Sequence, residues 1–245
     1  MTAPHPIPAK PVRIAIIGET SIRPDGSLAR SGALALALRE HAGVAVTLRA
    51  IATSEADQAH IDAVLTAAGV ASQLTSRADG DPAPIRLGDT LDIWGLFAHD
   101  VVILDADDAS LRAFLTDLPA HTAPGVRILG TMDYVNTHLS ARERDIALRF
   151  DTLIGSVAQA RTLFGLPESA DAESAANAIG ALMRGANLRA AAIHDENALA
   201  IAALDEPTTT MALPDGASWE AIIAAVAITM ARRHRWIETA DLLSA

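Results

Sequence analysis

The chain has 245 residues, a formal charge of −11 and no cysteine. That length can bury a substantial single core, and the acidic balance argues against nucleic acid as a partner, because phosphate neutralisation needs clustered Lys and Arg. The lack of cysteine excludes disulfides, thiolate metal sites and a thiol nucleophile, and with Lys10 the only lysine, the folded part has none for a Schiff base, a phosphate-clamping P-loop or a general base.

Residues 1–11 are Pro-rich without an apolar segment and read as a disordered tail rather than a secretory signal. Residues 12–18 (VRIAIIG) are a short apolar run ending in Gly, the pattern of a buried parallel strand. Residues 31–41 read as a helix opening at a small-residue turn, 44–51 as a second strand, and 55–68 as a helix stopped by Gly69. Residues 72–94 are polar and hold Gly80, Pro82, Pro84 and Gly88; they read as the least regular stretch. A buried strand is expected over 100–104 (DVVIL), followed by Asp105, Asp107 and Asp108 and a helix to about residue 118.

Further strands are expected over 126–130, 152–154, 190–194 and 198–204, and helices over 141–149, 157–164 and 172–183. The strongest helix covers 220–232 and follows the turn Pro214-Asp215-Gly216-Ala217-Ser218-Trp219. Strands alternating with helices imply a mainly parallel sheet covered on both faces. No linker divides the chain, so residues 12–245 read as one α/β domain. No apolar run reaches the ~20 residues of a membrane span, and the expected setting is cytoplasmic.

Several segments, in order, resemble the ribokinase-like carbohydrate kinases of the PfkB family. Gly18-Glu19 ends the first strand as in that family. Ser31-Gly32 with its Ala-rich helix resembles the sugar-contacting Gly-Gly turn. The stretch from Asp151 through Ser156, Gln159 and Ala160 to Gly165 resembles the family's Asp-x-x-x-x-Asn-x-x-Glu-Ala motif, and Gly216-Ala217-Ser218-Trp219 aligns with its Gly-Ala-Gly-Asp. The resemblance implies a three-layer α/β/α fold, substrate contacts at Glu19, Ser31, Gly32 and Leu36, and an anion hole at Gly216, Ala217 and Ser218.

The departures share one direction. The family's substrate-binding Asn falls on Leu36. The Asn and Glu that organise Mg²⁺ and phosphate fall on Ser156 and Gln159. The Gly-rich turn before the anion hole is His194-Asp195-Glu196-Asn197, and the catalytic base falls on Trp219. The stretch between Val70 and Asp100 is short for the family's β-lid, which is expected to be reduced or absent.

An indole accepts no proton, and removing a general base costs on the order of 10²–10⁴ in rate. The leading expectation is a kinase homologue that has lost phosphotransfer and binds a small molecule, such as a sugar or nucleotide, or a protein partner, either a second copy or an intact paralogue. No cofactor is expected unless the nucleotide site survives for Mg·ATP. The alternative is an active sugar or nucleoside kinase using Glu220 or Asp215 as base, although Glu220 also suits the helix N-terminal dipole.

Asp105 and Asp107 after a strand are metal candidates, as are Asp133, Asn136 and His138, against the reading of solvated loops and helix caps. Trp94 and Trp236 read as packing residues. A dinucleotide-binding Rossmann enzyme is disfavoured, since Gly18-Glu19-Thr20-Ser21 is not Gly-x-Gly-x-x-Gly.

Overall fold

The computed structural model describes residues 10–52, 54–76, 95, 98–105, 125–132, 144–145 and 147–244. The calls on the tail over 1–9, Trp94, Asp107, Asp108, the helix to 118, Asp133, Asn136 and His138 lie outside these residues, as does most of the stretch on which the lid expectation falls.

The described strands are β1 (Val12–Ile22), β2 (Leu28–Arg30), β3 (Val44–Ala52), β4 (Ala71–Ser76), β5 (Val101–Asp105), β6 (Arg127–Thr131), β7 (Thr152–Ser156), β8 (Ala190–His194), β9 (Ala198–Ala203) and β10 (Thr209–Ala212). The helices are α1 (Ser31–Glu40), α2 (Glu55–Ala67), α3 (Val157–Phe164), α4 (Ala172–Gly180), α5 (Trp219–Arg232) and α6 (Thr239–Leu243). One sheet runs in the order β10-β9-β8-β7-β6-β5-β1-β3-β4, with β2 paired to β1. Pairing is parallel from β4 through β8 and antiparallel at β8–β9, β9–β10 and β1–β2.

Alternation along each strand splits the core in two. From β1, Ala15 and Ile17 join a cluster with residues of α3 and α4, whereas Ile14 and Ile16 join the cluster with α1, α2 and α5. Because both faces are covered, the inner strands read as continuous apolar runs. Helix α5 is buried at every position from Ile222 to Met230, since it lies between α1, α6 and the sheet. No described helix is long and apolar enough to cross a membrane.

Several expectations are corrected. The polar stretch from residue 72 begins as β4, whose Ser72, Gln73, Thr75 and Ser76 give no apolar signal because an edge strand is covered on few sides. Strand β1 runs on to Ile22 and pairs with β2, and β10 adds a second edge. The helix expected over 172–183 stops at Gly180 and is followed by a 3-10 turn, Met183–Gly185. The tail after α5 folds back as a 3-10 turn, Trp236–Glu238, and α6; Trp236 packs on the core, as expected of it.

Candidate functional site

The sheet order reverses at β1, whose neighbours are β5 and β3. In open α/β sheets ligands bind beyond the carboxyl ends of the strands at such a reversal. The residues gathered there are Gly18, Glu19, Ser31, Gly32, Asp105 and Thr131. The Asp105 carboxylate accepts hydrogen bonds from Ser31 Oγ at 2.7 Å and from Thr131 Oγ1 at 3.2 Å. Both hydroxyl residues are fully buried. Asp105, a metal candidate by sequence, thus spends an oxygen on each of two hydroxyls and ties α1 and β6 to β5. The described residues contain no group of three or more metal-ligating side chains.

Close approach explains the two glycines here. A Cβ on Gly32 would lie 2.3 Å from Thr20 Oγ1, and one on Gly18 would lie 2.1 Å from Ser31 Oγ and 2.2 Å from the Asp105 carbonyl oxygen. Because a backbone atom cannot swing aside as a side chain can, Gly18→Ala is expected to destabilise the fold by about 1–3 kcal/mol, measured by urea unfolding.

Glu19 is ion-paired with Arg30, which precedes α1 at φ 54°. Leu36 is half-buried and packs against the core; the position expected to contact substrate is an apolar packing position.

A second group of elements encloses a cleft of about 840 Å³, walled by the start of α3, the α3–α4 loop, the β8–β9 turn and the turn into α5. Ser156 caps α3, its Oγ accepting from Gln159 N at 3.2 Å while Gln159 Oε1 accepts from Ser156 N at 2.8 Å. This reciprocal box satisfies two helix-terminal donors. Ser156 and Gln159, expected at the metal position, carry no carboxylate between them.

The expected anion-hole residues follow the same pattern. Gly216 turns at φ 74°, Ala217 N–H donates to Pro214 O at 3.1 Å, and Ser218 Oγ caps α5 by accepting from Ala221 N at 3.1 Å. Trp219 opens α5 and stacks on His194, with ring centroids 4.9 Å apart and planes 30° from parallel. Glu220 Oε1 accepts from Arg23 Nη2 at 3.0 Å, while Arg23 Nη1 donates to Leu28 O at 2.7 Å. Asp215 is exposed and is not part of the cleft wall.

Sequence reasoning missed Arg23, Thr131, Arg161 and the His194–Trp219 stack. The first had a signal. Arg23-Pro24-Asp25-Gly26 between apolar residues is turn chemistry, which marks a hairpin there but not the α5 terminus that Arg23 meets. Within the hairpin Asp25 accepts from Ser27 N and Oγ, bonds that hold its carboxyl below the usual range. Asp151, which opens the best-matching segment, lies just before the inner strand β7, at the amino ends of the strands and away from the site. There its Oδ2 accepts from Ile128 N at 2.8 Å, and burial raises its carboxyl above the ordinary value.

No protein-family model and no curated protein matches the sequence. Solved structures do match over nearly the whole chain. A pyrophosphate-dependent kinase in the ribokinase family, complexed with a pyrophosphate analog and myo-inositol, is similar at 11% identity and a TM-score of 0.66, covering 95% of this chain and 92% of that one. Phosphofructokinase-2 from Escherichia coli is similar at 14% identity and a TM-score of 0.67, covering 94% and 90%. Arabidopsis thaliana ribokinase, complexed with ribose and ATP, is similar at 12% identity and a TM-score of 0.66, covering 94% and 89%. With its reversal at β1, its buried α5 and its cleft at the α5 terminus, the chain has the fold of the ribokinase-like carbohydrate kinases.

Proposed function

We propose that this ribokinase-like protein does not transfer phosphoryl groups and acts as a small-molecule-binding or partner-binding protein. The observation that carries the reading is Trp219: the first residue of α5, where the resembled family places its base, is an indole stacked on His194. Phosphoryl transfer to an alcohol needs an acceptor for the hydroxyl proton and neutralisation of the phosphate charge. The nearest acid in sequence, Glu220, is bonded to Arg23, and the Ser156–Gln159 box offers no carboxylate to Mg²⁺. The residues present therefore do not fit Mg·ATP. Association with a second copy or with an intact paralogue belongs to the same proposal.

The test is direct. Purified protein is incubated with Mg·ATP or magnesium pyrophosphate and a panel of sugars, inositols and nucleosides, and phosphorylated product is measured. No turnover is expected. In parallel, Mg·ATP and Mg·ADP are not expected to raise the melting temperature, whereas a ligand at 100 times its dissociation constant adds roughly 2.7 kcal/mol. Turnover that disappears in Glu220→Gln or Asp215→Asn would establish instead a divergent active kinase using that residue as base.

A further inference from the structure

Asp-Gly pairs occur at residues 25–26, 79–80 and 215–216; the second of them lies outside the described residues. In such a pair the glycine nitrogen can attack the aspartate Cγ, because no Cβ shields it and the backbone rotates freely. The reaction needs that nitrogen and that carboxyl to be unheld. Both described pairs are exposed, and both glycines have positive φ, 85° at Gly26 and 74° at Gly216. Hydrogen bonding is what separates them.

At the first pair the glycine takes the fourth place of a turn. Gly26 N donates to Arg23 O at 2.9 Å, and Arg23 N donates to Ser27 O at 2.8 Å. Asp25 Oδ1 accepts from Ser27 Oγ at 2.7 Å and from Ser27 N at 3.0 Å, and these bonds hold its carboxyl below the usual range. The attacking nitrogen is engaged, and the acid is kept ionised.

At the second pair the glycine takes the third place. This turn closes from Ala217 N to Pro214 O at 3.1 Å, and a glycine in third place with its positive φ is the type II arrangement. The Asp215–Gly216 peptide is then the central one, and its N–H does not close the turn. Neither Gly216 N nor the Asp215 carboxylate has a hydrogen-bond partner among the described residues.

We propose that Asp215-Gly216 is a site of spontaneous backbone isomerisation, from which Asp25-Gly26 is protected by its own turn. A bond forms between Gly216 N and Asp215 Cγ. The proton of that nitrogen and the hydroxyl of the neutral carboxylic acid leave as water, giving a cyclic succinimide. Water then adds to one ring carbonyl and breaks its C–N bond. Addition at Cγ restores aspartate. Addition at the former Asp215 main-chain carbonyl leaves the chain running through Cβ, as isoaspartate. Composition is unchanged, and water is the only co-reactant. The product lengthens the turn by one main-chain atom directly ahead of the Ser218 cap of α5. The inference stands apart from whether phosphoryl groups are transferred.

The full chain is incubated in oxygen-18 water in mildly acidic buffer, where part of a carboxylate is protonated, beside the same chain unfolded in urea. Incubation lasts until the unfolded chain has converted. Peptide mass spectrometry reads heavy-oxygen incorporation at each pair, and chromatography separates isoaspartyl from aspartyl peptides. In the folded chain Asp215 is expected to incorporate at least about tenfold faster than Asp25, a barrier difference of ~1.4 kcal/mol. In urea the two pairs should react alike. Ser27→Ala removes the hydroxyl bond to Asp25 and should speed that site about fivefold while leaving Asp215 unchanged. Asp215→Glu, which would need a larger ring, should abolish incorporation at 215. The proposal is overturned if folded Asp215 reacts no faster than Asp25, if the contrast persists in urea, or if Ser27→Ala leaves Asp25 as slow as before.

Discussion

Asp105→Ala is expected to lower stability by about 3–5 kcal/mol, read as a fall in the urea midpoint at an unchanged slope. The carboxylate is the acceptor for two hydroxyls at 2.7 and 3.2 Å. A hydrogen bond to a charged group contributes about 1.5–3 kcal/mol, and a buried donor left without its acceptor costs about 1–3 kcal/mol. Ser31 and Thr131 are both fully buried, so water cannot replace what alanine removes. Asp105→Asn separates this account from a simple volume effect. Its amide oxygen can accept from one hydroxyl, and the other hydroxyl can turn to accept from the amide NH₂. It should therefore cost less than half as much as alanine. A loss below about 1 kcal/mol for Asp105→Ala would mean the bridge does not hold α1 and β6 to β5.

The same constellation gives the sheet reversal a shape that does not depend on the residues of the cleft. Gly18 and Gly32 let β1 and the start of α1 approach within Cβ-excluding distances, and the Asp105 bridge locks that approach. These contacts are structural, so they persist whatever is bound. Those at the cleft are different in kind. Trp219, the Ser156–Gln159 box and the Ser218 cap each satisfy their own helix terminus or a neighbouring ring, and none is needed to hold the sheet.

The fold was legible where physics acts through local pattern. VRIAIIG and DVVIL are apolar because both sheet faces are covered, and the α5 terminus announced itself by the Gly216 turn and the Ser218 cap before an apolar run. Legibility failed at the edges. Strand β4 is polar because little packs on it, and β10 is only Thr209–Ala212, too short for alternation to register. In the site, Trp219 and Ser156, both singled out by the resemblance, line the cleft, whereas Gln159 bonds back to the Ser156 backbone and is not part of its wall. Sequence could not supply pairings between distant segments. Arg23 meets Glu220 across 197 positions, and Thr131 meets Asp105 only because β5 and β6 are neighbours. Leu36 was assigned a substrate role by alignment, whereas its apolar side chain packs on the core.

Phe150→Ala should be the other large loss, again about 3–5 kcal/mol. Phe150 is fully buried and is among the largest side chains to be so. Aromatics make up only 3% of the chain, so few other residues can bring comparable volume to a core of alanine, isoleucine, leucine and valine. The ring occupies the space that Gly130 on β6 leaves open: a Cβ on Gly130 would lie 2.3 Å from it. Truncation removes the ring's transfer free energy and leaves a cavity walled by strand backbone, which cannot collapse to fill it. The complementarity makes a second, sharper expectation. Gly130→Ala alone should destabilise by about 1–3 kcal/mol, because the new methyl meets the ring. In the Phe150→Ala background the same methyl enters vacated space and should cost little or even restore stability. The double-mutant cycle should therefore show a coupling of about 1 kcal/mol or more. Strict additivity of the two losses would mean the ring does not rest on Gly130, and the junction of β6 with β7 beneath the site would have to be packed differently.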